Sequence, residues 1–378
     1  RWCPVSRIDD LIRDLCPDGV EHKPLRELVH IKNGRDFKHL KQGDIPVYGS
    51  GGIISYVNEY TSRGPSVLIP RKGSLNKLYF VEGPFWNVDT IFYTQIGEQL
   101  EPKFFYYYFQ TLHLERMNQA GGVPSLTQRA LNELKIPPPP ISIQREIVKI
   151  LDQFTELEAE LEAELEARRQ QYIYYRDILV APHSSIQTVK LGEVSRIARG
   201  ASPRPIRKFI ADNSGVPWIK IGDASPHGKY IATTAQHISE DGAKKSRRVK
   251  PGDFILSNSM SFGRPYISKI NGCIHDGWLV ISDYKKTFDP NFLYHILRSS
   301  PIQKDFTQRA GSGTVRNLNS KIVSETLVPA PPVDQQRDIV DVLDKFDLFV
   351  NDLSSGLPAE IEARRKQYEY YRDRLLTF

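Results

Sequence analysis

Arginine and lysine side chains crowd several loops of this sequence, in both halves of the chain. The loop residues of the first half, here called the first basic group, are Arg35, Lys38, His39, Lys41, Arg71, Lys72, Asn76 and Lys77. The second basic group lies in the second half and consists of Arg199, Ser202, Arg204, Arg207, Lys208, Lys244, Lys245, Arg247, Arg248, Asn258 and Arg264. Guanidinium and ammonium groups bind phosphates and guanine edges, and asparagine pairs with adenine. Both groups are therefore candidate surfaces for binding DNA.

The net charge is distributed unevenly along the chain. The 378 residues carry +6 in total, but residues 141–180 carry −4 and residues 333–378 carry −3, which leaves +13 for the rest. This distribution is expected if the parts that bear the loops contact phosphates and the two acidic segments do not. Solvated lysine-rich loops would give the same charge, so charge alone leaves that alternative open.

Motifs for common catalytic or metal chemistry are missing from the sequence. There is no G-x-x-x-x-G-K-[ST] loop, no H-E-x-x-H helix and no cluster of histidine and carboxylate at metal-binding spacing. The prolines Pro137–Pro140 follow Ile136, so the Asn-Pro-Pro motif of amino-methyltransferases is also missing. We therefore expect a binding subunit without catalytic residues, a metal or a cofactor of its own. No apolar run approaches the roughly 18 to 20 residues of a membrane span, which predicts a soluble, cytoplasmic protein.

Two blocks of the sequence are written twice. The run Gln144–Phe154 returns 192 residues later as Gln336–Phe346, and Glu166–Asp177 returns 196 residues later as Glu362–Asp373. The second copy therefore has four extra residues between its blocks. A repeat of this kind predicts that one structural unit is used twice.

Weaker correspondences reach back into the parts that precede these blocks. Gly34 corresponds to Gly200, and Asp89 corresponds to Asp276, each within a similar local pattern. Each half thus has a variable globular part followed by a nearly invariant tail. This contrast predicts one shared mechanical role for the tails and two different recognition roles for the globular parts.

Both tails have the pattern of long amphipathic helices. Apolar residues recur at steps of three and four from Ile147 to Leu179, and roughly 38 helical residues would extend about 55 to 60 Å. The second tail has the same stripe from Ile339 to Leu375, but Ser354–Pro358 interrupts it, which predicts a break. Two matching stripes indicate a coiled-coil pair, and the alternative is that each stripe covers its own domain.

The globular parts have the pattern of mixed α and β structure. Short apolar runs bounded by turn residues predict strands at Ser66–Pro70, Lys77–Val81, Thr90–Thr94, Trp218–Ile221, Phe254–Ser257 and Gly277–Ser282. Helices are predicted at Phe104–Leu112 and Asn291–Leu297. The fold class is therefore α+β, with an internal two-fold repeat.

Several motifs resemble the specificity subunit of type I restriction-modification systems. The run at 364–372 with its twin at 168–176, the phrase Leu68–Ser74 and the opening motifs Ser6–Ile12 and Cys16–Val20 carry this resemblance, which spans essentially the whole chain. It implies two target recognition domains, each reading one half of a split DNA site, separated by two long antiparallel helices. The implied divisions are an N-terminal segment 1–20, recognition domains 21–139 and 183–331, and conserved helices 140–182 and 332–378.

The resemblance also implies partners and places the cofactors on them. Two methyltransferase subunits would dock on the helices and, through them, the restriction and translocase subunits. S-adenosylmethionine, ATP and magnesium would belong to those partners. The break at Ser354–Pro358 departs from the family pattern, so the two docking sites are not expected to be symmetry mates.

Two further hypotheses concern the tails. The Leu-Glu-Ala-Glu tetrads that begin at Leu157 would set the spacing between the half-sites, because one added tetrad lengthens a helix by about 6 Å. Contacts to a partner or between helices are expected from Leu157, Leu161, Leu165, Arg168, Arg169, Tyr172, Tyr175, Arg176, Arg364, Arg365, Tyr368, Tyr371 and Arg372.

Two other classes of protein remain open at this point. A two-headed structural adaptor would use its globular parts to bind proteins, and its basic loops would be incidental. An enzyme with an unfamiliar site is the other. The salt dependence of DNA affinity distinguishes an adaptor from a DNA-binding subunit, because phosphate contacts make affinity fall steeply with ionic strength.

Overall fold

A computed structural model of the chain describes residues 4–117, 124–182, 186–212, 214–226, 228–259, 261–311, 317–352 and 354–378, with side chains from residue 7 onward. The chain forms two compact units. Unit 1 comprises Arg1–Glu160 and Ile361–Phe378, and unit 2 comprises Leu161–Glu360. Each unit thus combines one globular part with pieces of the tails. The boundaries at 140, 183 and 332 follow sequence order and stay a prediction.

The globular part of unit 1 is built from short strands and helices. Its elements are α1 (Pro4–Leu15), β1 (Lys23–Pro24), α2 (Leu25–Leu28), β2 (Val29–Lys32), β3 (Ile45–Gly49), β4 (Gly52–Val57), β5 (Ser66–Pro70), β6 (Tyr79–Val81), β7 (Trp86–Asn87), β8 (Ile91–Ile96), α3 (Pro102–Thr111), α4 (Gln128–Asn132) and β9 (Lys135–Ile136). A four-stranded sheet has the order β2-β8-β5-β6, a three-stranded sheet has the order β4-β3-β7, and β1 pairs with β9. Strands β3 and β7 are parallel.

Unit 2 repeats this plan with added strands. Its globular elements are β10 (Thr188–Lys190), α6 (Leu191–Val194), β11 (Arg196–Arg199), β12 (Ile210–Ala211), β13 (Val216–Ile219), β14 (Tyr230–Ile231), β15 (His237–Ile238), α7 (Glu240–Lys244), β16 (Arg247–Val249), β17 (Phe254–Ser257), β18 (Pro265–Ser268), β19 (Gly272–Ile274), β20 (Trp278–Ser282), α8 (Pro290–Arg298), α9 (Ser300–Arg309), α10 (Ser320–Glu325) and β21 (Leu327–Pro329). The sheet order β11-β20-β17-β18 matches β2-β8-β5-β6, and the parallel pair β13 and β19 matches β3 and β7. The α+β class and the internal repeat are thereby confirmed.

Three helices make up the tails. These are α5 (Ile141–Leu179), α11 (Val333–Asn351) and α12 (Leu357–Leu375). Helix α5 has 39 residues without a break, about 58 Å, whereas the second tail is interrupted between Asn351 and Leu357, as predicted. Among the described residues, no helix has an apolar stretch long enough to cross a membrane.

Aromatic pairs join the tail helices within each unit. In unit 1 the rings of Phe154 and Tyr371 lie 5.5 Å apart, and Arg365 donates to Glu158 at 2.5 Å. Residue numbers rise along α5 as they fall along α12, so the two helices run antiparallel. In unit 2 the repeat-equivalent rings of Phe346 and Tyr175 lie 5.9 Å apart. The predicted pairing of the tails thus occurs, with the same aromatic contact in both copies.

A buried glutamine fastens the globular part of each unit to its tail. The Nε2 of Gln144 donates to the carbonyls of Gln99 and Pro139, and its Oε1 accepts from the Glu101 amide at 2.7 Å. Because the side chain is fully buried, these bonds satisfy backbone groups that water does not reach.

Gln336 repeats this arrangement in unit 2. Its Nε2 donates to the carbonyls of Thr287 and Pro331, and its Oε1 accepts from the Asp289 amide at 2.8 Å. The same three bonds, made by a fully buried side chain, therefore place each globular part at the start of its tail helix.

Candidate nucleic-acid interface

Each unit has a tight turn that follows the second strand of its parallel pair. We call residues 87–90 of unit 1 and 274–277 of unit 2 the central turns. In unit 1, the Arg35 amide donates to the Asn87 carbonyl at 2.9 Å, and the Arg71 amide donates to the Thr90 carbonyl at 2.9 Å. The two loops that carry the first basic group thus meet at one turn.

A glycine permits this approach in both units. A Cβ on Gly34 would lie 2.1 Å from the Val88 carbonyl oxygen, and a Cβ on Gly200 would lie 2.1 Å from the His275 carbonyl oxygen. Neither position has room for a larger residue, because real Cβ atoms do not approach backbone oxygen so closely. The weak repeat of these glycines in the sequence therefore reflects one shared loop geometry.

Asp276 contacts several residues of the basic loop that begins at Arg199. Its carboxylate accepts from the Ser202 hydroxyl at 2.9 Å and lies 3.0 Å from His275 Nε2 and 3.8 Å from the Arg204 guanidinium. The Arg199 guanidinium donates to the Asp276 carbonyl at 3.2 Å. Burial alone would raise the pKa of Asp276, but the Ser202 hydroxyl and His275 together hold it below its ordinary value. The ionised carboxylate therefore positions cationic side chains at this edge.

Other members of the second basic group differ in their surroundings. Exposed Lys244 and Arg248 pair with Asp241 and Glu240, and exposed ion pairs of this kind exchange readily with other anions. Arg247 donates to the Arg199 carbonyl, which places it at the edge beside Asp276. Exposed Lys245 lies over the Phe209 ring, and Arg264 lies over the Tyr266 ring. Arg207 and Lys208 are exposed in a short 3-10 turn.

The two asparagines of the candidate set have different surroundings, because Asn258 is buried and Asn76 is exposed. Asn258 is buried, and its amide donates to the Asp276 carbonyl at 2.9 Å, so it supports the central turn. Asn76 lies in a polar cleft of about 430 Å³ lined by Gln110, His113 and Arg372. That position faces α3 and α12 and not the central turn of unit 1.

The remaining first-group residues lie on exposed loop surfaces. The His39 ring meets Trp86 edge-on at 6.0 Å, and Lys38 and Lys41 line a shallow pocket with Tyr56. Lys72 donates from its amide to the Thr90 carbonyl, which keeps it beside Arg71. Lys77 is exposed at the far end of the same loop.

Most residues expected at the partner or helix interface make contacts within their own unit. Tyr172 is buried, and its hydroxyl lies 3.1 Å from His295 Nδ1, while Tyr368 donates to Gln110. Arg176 and Arg372 each cover the ring of one of these tyrosines and bind the next aspartate, as repeat equivalents. Arg168 and Arg364 contact Gln171 and Gln367 along their own helices, and Arg169 is partly exposed. Of the three leucines, Leu157 is exposed, Leu161 is half-buried and Leu165 is buried.

The sequence reasoning missed several residues that the structure makes prominent. Ser50 and Thr90 join a hairpin tip to the central turn of unit 1, with the Ser50 amide 3.4 Å from Thr90 Oγ1. Tyr174 and Tyr370, which are repeat equivalents, are 62% and 60% exposed on their helices. The signal available in the sequence was the helical spacing of the Tyr-x-Tyr-Tyr run, which places Tyr174 and Tyr370 on a different face of the helix from Tyr172 and Tyr368. Within the described part of the chain, no cluster of histidine, cysteine and carboxylate suits a metal ion.

The family match agrees with this duplicated architecture. Residues 17–167 and 183–363 each match the type I restriction modification DNA specificity domain. The family that this domain defines is that of a non-catalytic DNA-recognition subunit. The chain belongs to the type I restriction modification DNA specificity family.

Individual relatives cover nearly the full length of the chain. The Escherichia coli type I restriction enzyme EcoR124I/EcoR124II specificity subunit is 30% identical over 389 residues, which is 96% of this chain and 95% of the relative. A provisionally named type I restriction enzyme specificity subunit of Haemophilus influenzae is 32% identical over 378 residues, 95% of this chain and 96% of its own.

Solved structures share the fold. A structure from work on the assembly and conformational transition of the type I R-M system aligns with a TM-score of 0.67 and 18% identity, over 95% of this chain and 98% of its own. The type I restriction-modification S subunit from M. genitalium aligns with a TM-score of 0.55 and 16% identity, over 95% of this chain and 96% of its own.

Proposed function

We propose that each unit of this chain reads one half of a bipartite DNA site. The observation that carries the proposal is the central turn, which in both units collects basic loops through the same glycine approach. Cationic side chains on these loops would bind phosphates and base edges. The basic residues beside the central turn of unit 1 differ from those beside the central turn of unit 2. The two half-sites would therefore differ in sequence and need not form a palindrome.

Genome-wide mapping of methylated bases tests this proposal. With the chain present, one bipartite methylated motif is expected, and deleting the chain should remove it. Arg204→Ala should relax recognition in one half-site only, because Arg204 belongs to the edge of unit 2. Arg35→Ala is the matched change in unit 1, because the Arg35 amide binds the central turn of that unit. An unchanged map after deletion, in an otherwise active system, would reject the proposal.

The proposal extends to partners that dock on the tails. Tyr174, Tyr370 and the exposed apolar residues Leu348 and Phe349 of α11 offer aromatic and apolar contacts of the kind that interfaces favour. Methyltransferase subunits would bind there, with restriction and translocase subunits joined through them. S-adenosylmethionine, ATP and magnesium would be held by those partners, and the complex would act in the cytoplasm.

Pull-down of the methyltransferase subunit tests the docking surface. The variants Arg169→Glu and Tyr174→Ala should each reduce capture, because both side chains are at least partly exposed. Tyr172 is buried within its unit, so a substitution there should reduce capture only by impairing folding. Undiminished capture by both surface variants would reject docking at this face.

The adaptor alternative predicts a different response to salt. If the basic edges bind DNA phosphates, affinity for duplex DNA should fall by orders of magnitude between 50 and 200 mM salt. An adaptor would show weak DNA binding without preference for the mapped motif.

A further inference from the structure

A β-bulge lies in the hairpin next to the central turn of unit 1. Strands β3 and β4 pair Tyr48 with Ile53 and Val47 with Ser55, so Ile54 is the extra residue of the register shift. In a regular strand, successive side chains alternate between the two faces. Here Ile53 and Ile54 are both exposed, at 48% and 54%. Bulges of this kind redirect a side chain, and they are frequent beside functional sites.

The exposed Ile54 side chain lies beside the basic edge. A Cβ on Gly49 would lie 3.5 Å from Ile54 Cγ2 and 3.7 Å from Thr90 Oγ1, so Ile54 covers Gly49 next to the central turn. The hairpin tip is held there, because the Tyr79 hydroxyl donates to the Ser50 carbonyl at 3.3 Å. Ile54 is therefore an apolar group fixed among cationic loops.

The surroundings of Ile54 indicate what it contacts. Thr90, which like Ile54 lies beside Gly49, accepts from the amides of both Arg71 and Lys72, so cations for phosphate lie on the neighbouring loop. The DNA major groove admits a two-stranded β-ribbon, and the apolar group on its base edges is the thymine methyl. No atom lies within 4 Å of a Cβ built on Gly51, so this side of the hairpin tip is open.

We propose that Ile54 contacts a thymine methyl group in the half-site read by unit 1. This inference rests on the proposed function, since it names one base contact within that site. Arg71 and Lys72 would bind the flanking phosphates, and Ile54 would select thymine over cytosine at one position, because cytosine lacks the methyl group.

Deoxyuridine substitution tests the contact, because it removes only the methyl group of thymine. The full chain is titrated into fluorescent duplexes that carry the mapped bipartite site, with each thymine replaced in turn. One replacement should weaken wild-type binding about fourfold, the value expected for losing one buried methyl group. Ile54→Ala should bind the thymine and deoxyuridine duplexes equally at that position.

Two controls keep the test specific. Leu327→Ala removes a similarly exposed side chain, 59% against 54%, from strand β21 of unit 2 and should keep full deoxyuridine sensitivity. Lys72→Ala should reduce the dependence of affinity on salt by about one phosphate contact, whereas Ile54→Ala should not. Thermal unfolding of Ile54→Ala should match wild type, because the side chain is exposed.

The outcomes separate this inference from the proposed function. Equal affinity of wild type for the mapped site and a scrambled duplex would reject both. Specific binding that no deoxyuridine replacement weakens, or sensitivity that Ile54→Ala retains, would reject the thymine contact alone. A mapped site with no thymine in either half would also overturn it.

Discussion

Gly34 and Gly200 show how much one residue type contributes to the central turns. Neither glycine has a side chain, and each therefore lets a basic loop reach the carbonyl of a central turn. Their repetition was visible in the sequence, but the reason for it was not, because the opposing strand lies more than 50 residues away in both units. The clustering of basic residues in these loops was visible in the sequence, and their contact with DNA stays a prediction. Asn258 could not be distinguished from an exposed asparagine by sequence, because its burial depends on neighbours from distant strands.

Gly34→Ala should destabilise unit 1 by about 1 to 3 kcal/mol, because the new methyl group would overlap the Val88 carbonyl. The matched control is Gly51→Ala, since no atom lies within 4 Å of that Cβ position. Denaturant unfolding of both variants measures the difference. Equal stability of the two would show that the loop moves freely away from the central turn.

His295 makes the stability of unit 2 depend on pH. Burial lowers the pKa of His295, and its hydrogen bond to Asp344, 2.8 Å long, only partly opposes this. The unfolded chain therefore takes up a proton below the ordinary pKa of 6.5, whereas the folded chain does so only at a lower pH. Stability should fall as pH drops below 6.5, by at most about 1.4 kcal/mol per pH unit.

Comparison of wild type with His295→Gln between pH 7.5 and 5 measures this effect through the unfolding free energy. The variant should show a flatter pH dependence. In unit 1 the equivalent residue is Tyr107, which donates to Asp152 and does not titrate in this range. If the unfolding free energies of wild type and His295→Gln changed equally with pH, His295 would not be a buried neutral histidine.

At the scale of elements, the two buried glutamines carry much of the attachment between globular part and tail. Gln336→Ala would leave the Asp289 amide and two carbonyls without partners in a buried position. Each such group costs about 1 to 3 kcal/mol, so the variant should lose at least about 2 kcal/mol of unfolding free energy. Exposed Gln335→Ala is the control on the same helix and should be near neutral. A small loss at Gln336 would mean that water replaces the glutamine.

Elements with strong local patterns were predictable from sequence, and the others depended on tertiary contacts. Strand β5 occupies the predicted Ser66–Pro70 and helix α3 lies within two residues of its predicted bounds, because continuous apolar runs and an entry proline mark them. The parallel pairing of β3 with β7 carries no local signal. The bulge at Ile54 has none either, since the register shift is set by the partner strand.

At the scale of the whole molecule, helix α12 crosses from unit 2 into unit 1 in its first turn, and the longer helix α5 crosses from unit 1 into unit 2 near its middle. Inserting one Leu-Glu-Ala-Glu tetrad after Glu164 should lengthen it by about 6 Å, which corresponds to one or two base pairs of DNA. The expected result is a methylated motif with unchanged half-sites and a longer spacer. Methylation mapping in a strain that carries the insertion measures this, and an unchanged spacer would reject the ruler hypothesis.

Unit 1 is built from two distant parts of the chain, and this affects how it folds during synthesis on the ribosome. Its hydrophobic core includes Leu375 and Leu376, although the rest of its globular part is made more than 200 residues earlier. The nascent polypeptide therefore emerges with an N-terminal core that lacks its closing helix while all of unit 2 is translated. Contacts this distant in sequence form slowly, so the part of unit 1 that is made before unit 2 acquires its closing helix only after unit 2 has been made.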